Sequence, residues 1–250
     1  MKWLVLIVAS VLFVSCSHDR SKNSLVKMGL KGKVKSLEQT EYKVKPARAK
    51  NDGDSLLNKS AWQFNNRGNT SVELIWLAND HVKKCVYQFD NSGRPLQAIK
   101  YNDDSSFAYK TIFIYDEHGL VTGQDQYDGR DSLNLTMRFL YDVNSNVAEE
   151  ISRWENGKLL RKNVYSYNDR GLEAACSFFN ADSNIVMRVT YAYNDTGYKI
   201  EEHKFGEDDD EGWVTQYRYD VYDKQGNWLK RTTIVKDKPV SITERVISYY

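Results

Sequence analysis

The sequence predicts an all-β protein: an antiparallel meander of about eight repeated hairpins, about sixteen strands, curled into a spiral or barrel-like sheet. Three observations predict it. A Tyr-x-Tyr-[Asp/Asn]-x-x-Gly motif recurs, as in "YAYNDTG" and "FIYDEHG", with its glycine or its substitute at Gly68, Gly93, Gly119, Ser145, Gly171, Gly197 and Gly226, in steps of 25, 26, 26, 26, 26 and 29 residues; constant spacing of this kind marks a repeat architecture. The segments between motifs alternate: in "TIFIYD", Thr111, Phe113 and Tyr115 fall on one face and Ile112 and Ile114 on the other, the period-2 signature of a strand. Composition agrees, with 17 tyrosines and only 3 prolines in 250 residues, the reverse of a disordered chain.

The first fifteen residues are a different material. "MKWLVLIVASVLFVS" carries one lysine and an apolar run too short for a comfortable membrane span, and it ends in a small residue before Cys16. Residues 1–15 are expected to be a signal peptide. Cys16 is expected to carry the lipid of a bacterial lipoprotein, since Ser15-Cys16 closes a stretch similar to a lipobox. Residues 16–29, with the polar "SHDRSKNS", are expected to form the lipidated N-terminus and a tether. Ser17 in place of Asp after the cysteine points to the outer membrane, on either face. Residues 30–250 are then a single β-repeat domain.

Within the domain each unit holds two strands. The motif supplies one turn: its Asp or Asn can accept from the backbone beyond it, and Gly supplies the positive φ that closes the turn. Midway lies a second turn rich in Asn, Asp and Gly: "ANDH" at 78–81, "NDDSS" at 102–106, "YDGRD" at 127–131, "ENGK" at 155–158 and "NADSN" at 180–184. Asn156-Gly157 is the strongest hairpin signal among them. An earlier copy lacking the aromatics surrounds Gly32, and the irregular "KVKPARAKNDGDSLLNKS" at 43–60 is expected to be a surface loop. Sixteen flat strands at roughly 4.8 Å would span about 75 Å, wide enough to favour curling. Cys85 falls on about the fourth strand and Cys176 on about the eleventh, so both are expected to be free thiols.

The "YxYDxxG" ladder, with "DKQGNW" and "ERVISYY" at its close, resembles the RHS/YD-type repeats of Gram-negative envelope lipoproteins and large toxin shells. The resemblance covers about residues 30–250. It implies an envelope protein and says little about activity; in the large relatives the hairpins wind into a hollow shell, for which this chain is too short.

The search for chemistry excludes more than it finds. With 35 basic and 34 acidic residues, no charge excess points to nucleic acid. The histidines at 18, 81, 118 and 203 lack metal-ligand spacing, and "GEDDDEG" at 206–212 does not fit a calcium loop. Glu201 and His203 share a strand face, which reads as a polar exposed face rather than an acid–base pair. No nucleophile elbow, phosphate loop or dinucleotide fingerprint occurs. No catalytic residue, metal or cofactor is therefore expected. The one candidate binding feature is an aromatic row placed alike in successive units: Trp76, Tyr101, Tyr127, Trp154, Phe179 and Phe205. Such a row is either a packing stripe or a platform for a ligand. The expected function is a lipid-anchored, non-enzymatic envelope protein that binds a macromolecular partner, a protein; the alternative is a glycan- or lipid-binding module with an aromatic-lined concave face.

Overall fold

The computed structural model describes residues 23–44, 55–76, 82–207 and 211–250. A short helix, α1 (Ser24–Lys27), precedes sixteen strands. They are β1 (Val34–Lys43), β2 (Ser55–Phe64), β3 (Thr70–Trp76), β4 (Val82–Phe89), β5 (Pro95–Tyr101) and β6 (Phe107–Tyr115). Then come β7 (Val121–Tyr127), β8 (Leu133–Tyr141), β9 (Val147–Trp154), β10 (Leu159–Tyr167) and β11 (Glu173–Phe179). The last are β12 (Ile185–Tyr193), β13 (Lys199–Gly206), β14 (Trp213–Tyr222), β15 (Trp228–Val235) and β16 (Lys238–Tyr249). Each strand pairs antiparallel with its sequence neighbours, and β1 pairs with β16, so the meander closes as a barrel. Closure removes the open edges that a sheet this wide would expose.

The motif explains the turns at one rim. Asp116 Oδ1 accepts from the backbone N–H of His118 at 2.9 Å and of Leu120 at 2.7 Å, and Asp142, Asn168, Asn194 and Asp223 repeat the arrangement. The motif glycines take positive φ, and Ser145 does the same at φ 62° where glycine is missing.

The motif tyrosine sits at a bulge, points into the lumen and donates to the carbonyl of the first residue of the preceding strand. Tyr115 bonds Pro95 at 2.7 Å, Tyr141 bonds Val121 at 2.5 Å, Tyr167 bonds Val147 at 2.9 Å and Tyr193 bonds Glu173 at 2.8 Å. In the doubled "YRYDVYD", Tyr219 takes this place, bonding Lys199 at 2.7 Å, while Tyr222 is exposed. The recurring tyrosine therefore fastens these five strands at the same height, each bond adding about 1 kcal/mol, while Phe64 and Phe89 hold the place without a hydroxyl.

Two features extend the sequence expectations. The 43–60 stretch is not a loop throughout: Lys43 belongs to β1, and residues 55–60 belong to β2, where Ser55 pairs with Lys43. The β1–β2 ladder extends to the Lys43–Ser55 pair. Residues 23–29, expected in the tether, are folded. Asn23 caps α1, and Leu25 and Leu30 are buried with Val34, Leu37, Trp62 and Phe64 in the main apolar cluster. Asn227 then holds Lys31 by two backbone bonds of 2.7 and 2.9 Å, so this segment is stitched to the motif-turn rim.

The outer wall is polar at mid-height. Cross-strand ion pairs join Lys59 to Glu38, Arg138 to Asp125, Lys162 to Glu149 and Lys230 to Glu244, at 2.6–3.5 Å. Exposed apolar side chains such as Ile112, Leu140 and Val246 are interleaved with them. Strands β3, β5, β7 and β11 have 7 residues each, shorter than the roughly 9–11 residues of a bilayer-crossing strand. A spanning barrel wears a continuous apolar band outside; this wall carries paired charges in its place.

Candidate functional site in the lumen

The aromatic row lies at the rim opposite the motif turns. Trp76, Tyr101, Tyr127, Phe179 and Phe205 end their strands on the outer face, opposite Lys59, Lys84, Lys110, Lys162 and Arg188. The lysine ammonium lies over the ring at 4.9 Å for Trp76, 5.6 Å for Tyr127 and 5.2 Å for Phe179. Trp154 stands one residue later in its unit, and a one-residue shift changes face. It pairs with Leu135 on the lumenal register and remains 41% exposed at the rim. Five rings thus lie on the convex outside, each opposite a cation, rather than in a trough.

His118 is exposed in its turn beside Glu117. His203 is on the outer wall, 4.0 Å from Phe205, with Glu201 taken by Gln216. Cys16, His18, His81 and residues 208–210 lie outside the described residues. Among the described residues no three His, Cys, Asp or Glu side chains converge as a metal site.

The lumen holds the chemistry. The fifth residue after each motif glycine or its substitute points inward: Leu37, Glu73, Ala98, Gln124, Glu150, Cys176, Glu202 and Arg231. Leu37, Glu73, Ala98, Glu150, Cys176 and Glu202 are buried. They form a belt at one height, and unlike the turns they differ from unit to unit. The belt was missed in the sequence although its offset is constant, because alternation alone does not say which face is enclosed.

Part of the belt lines a cavity of about 230 Å³ with Phe139, Tyr165, Glu173, Phe178, Tyr191 and Lys199. Glu150 receives Arg161 at 3.4 Å, Asn163 at 3.5 Å and Tyr165 at 3.3 Å. Burial nevertheless raises its pKa above the usual carboxylate range, outweighing Arg161. Burial pushes Glu173 up to about 7 against the pull of Lys199. Glu202 goes the other way: burial would raise it, but Lys204 at 2.5 Å and Lys199 at 3.2 Å hold it low. The buried Ser152 Oγ, Asn163 Oδ1 and Glu73 Oε1 have no hydrogen-bond partner among the described residues. Such atoms are costly unless something fills the space. Burial and then Glu173 push the Cys176 thiol pKa up; Cys85 rises to about 11, first by burial. Cys85 and Cys176 are both free, as expected, and a raised pKa disfavours the reactive thiolate at neutral pH.

The lumenal wall of β14–β16 and β1 is basic. Arg231 pairs with Tyr219 and Thr243, and Arg245 with Gln39. Both guanidiniums face Trp228, Arg245 at 3.4 Å and Arg231 at 5.3 Å from the ring centre. One repeat therefore builds a lumen with an acidic, tyrosine-rich stretch and a basic, aromatic one.

Comparison with known proteins supports this architecture and nothing finer. No protein-family model matches the chain, and no curated protein matches it in sequence. A porin-like protein from Bacteroides uniformis superimposes with a TM-score of 0.58 at 10% identity, over 86% of this chain and 98% of that one. A porin-like protein from Bacteroides vulgatus gives 0.43 at 9% identity, over 71% and 97%. A Photorhabdus luminescens Tc holotoxin pore structure gives 0.34 at 12% identity, over 82% of this chain and 14% of that one. Scores of 0.43 and 0.34 carry no argument; the first shows a shared fold. The chain is thus defined as a closed, sixteen-stranded antiparallel barrel.

Proposed function

We propose that the chain is a non-enzymatic binding barrel of the cell envelope, tethered by a lipid on Cys16, standing in water beside the membrane and using its lumen as the binding surface. The observation that carries this reading is the contrast of walls. The outside pairs its charges, Lys162 with Glu149 and Arg138 with Asp125. The inside holds perturbed carboxylates, unpartnered polar atoms and a cavity. Convergent polar groups among aromatic walls are the usual make-up of a small-ligand site. Of the two functions expected from sequence, a protein partner and a glycan- or lipid-binding module with an aromatic-lined concave face, the lumen favours the second only in placing binding on the concave side, with other residues than the row and a small ligand.

The name porin-like belongs to the neighbours; the ion-paired outer wall argues against a spanning role here. The test is sedimentation without detergent. A Cys16→Ala form should leave the membrane fraction and sediment as a folded, monodisperse species. Aggregation relieved only by detergent would overturn the aqueous placement. Retention on the membrane after a salt wash would overturn the lipid tether.

A further inference from the structure

Arg231 and Arg245 are a half-buried cationic pair whose hydrogen-bond partners among the described residues are neutral side chains. Arg245 Nε donates to Gln39 Oε1 at 3.0 Å, and Arg231 donates to Thr243 Oγ1 at 3.4 Å. Arg231 Nε is buried with no acceptor. Arg245 is half-buried, and the groups acting on its charge are Arg231, Tyr219 and Tyr198. Burial first, and Arg231 second, lower its pKa from the usual guanidinium value. Glu41 lies in the same register, opposite Thr243, but accepts from Ser241 at 2.6 Å and makes no ion pair with either arginine among the described residues. Elsewhere in the lumen cations are matched: Lys199 and Lys204 hold Glu202, and Arg161 holds Glu150.

Two like charges facing one ring, with one buried N–H unsatisfied, are unfavourable unless an anion joins them. Stacking on Trp228 and Tyr217, at 3.4 and 4.7 Å, offsets part of that cost. It leaves free for a ligand the in-plane N–H groups other than those given to Gln39 and Thr243, and such donors suit the planar or tetrahedral oxygens of a carboxylate or phosphate.

We propose that Arg231 and Arg245 form an oxyanion site in the lumen for a small molecule bearing a carboxylate or a phosphate; the proposal deepens the lumenal reading above and rests on it. Thr243 and Gln39 flank the anion, and Trp228 and Tyr217 form an apolar floor that keeps the guanidiniums in place.

The experiment is isothermal titration of the full chain with inorganic phosphate and, separately, with acetate, at an ionic strength fixed by chloride. Saturable binding of at least one anion is expected, and the tighter one identifies the source chemistry. Arg245→Met and Arg231→Met should each weaken it at least tenfold while melting in chloride no lower than the parent. Arg245→Lys, which keeps the charge but not the fork, should weaken it to a smaller degree and serves if a methionine variant fails to fold. Absence of saturable heat with both anions, or unchanged affinity in the folded variants, overturns the site. A native mass spectrum separates the two levels of the claim. A retained small molecule indifferent to phosphate would leave the lumenal reading standing without the oxyanion site; no retained molecule and no anion binding would remove both.

Discussion

The fifth and the eighth residue after each motif glycine lie on the same strands yet on opposite faces, and they behave differently. The eighth position is aromatic in five of the eight units, as Trp76, Tyr101, Tyr127, Phe179 and Phe205, each outward and each opposite a lysine or arginine, and is Thr40, Arg153 and Ile234 in the others. The fifth position is inward and varied: Leu37, Glu73, Ala98, Gln124, Glu150, Cys176, Glu202 and Arg231. A position that repeats in residue type meets the same neighbour in every unit, so it serves the architecture. A position that repeats in geometry but not in chemistry gives the lumen a different character at each strand. The difference teaches that function in this barrel is to be sought where the repeat is broken, on the enclosed face.

The comparison is open to attack by substitution. The largest effect belongs to the inner belt where it is pure core. Leu37→Ala, at a side chain fully buried against Trp62 and Phe64, should cost about 2–5 kcal/mol in a denaturant titration. A cost below about 1 kcal/mol would mean the inner face is not packed there.

Next comes the pH dependence of the acidic stretch. Glu173 rises from 4.5 to about 7 in the folded barrel, so the folded state binds more protons than the unfolded one between those values. Stability should therefore fall as pH rises through that window. Glu150 and Glu73, also raised by burial, act in the same direction. Glu173→Gln should flatten the slope and stabilise the barrel at pH 8 by on the order of 2 kcal/mol. An unchanged slope would contradict the burial of that carboxylate.

The outer row should respond less. Trp76→Ala removes one exposed-face ring beneath Lys59 and should cost about 1 kcal/mol; a loss near 3 kcal/mol would make the row core. The smallest effect is a gain. Ser145→Gly replaces a left-handed serine, φ 62°, and should add up to about 1 kcal/mol, measured by the shift in melting temperature.

What was legible in the sequence follows the same division. The strands, the turns and their period could be read because Asp116, Gly119 and Tyr115 have copies in other units. The lumenal site could not, for two physical reasons. Alternation gives two faces without saying which is enclosed. Bulges then alter the parity locally: the shift at Tyr167 brings Glu173 to the lumenal side, two residues from the motif glycine. The basic wall is hidden further, since Arg245 and Gln39 are 206 residues apart and meet only because β1 closes on β16. The same closure places the aromatic row on a convex wall, which a count of hairpins leaves open.

The most direct test of the central claim compares one residue from each position, Phe179→Ala and Arg231→Met, by thermal unfolding with and without inorganic phosphate at matched ionic strength. Phe179→Ala should melt below the parent yet keep the full phosphate-induced rise. Arg231→Met should melt at or above the parent and lose the rise. The opposite pattern, with the phosphate response lost in Phe179→Ala and kept in Arg231→Met, would put the binding face on the outside and contradict the lumenal account.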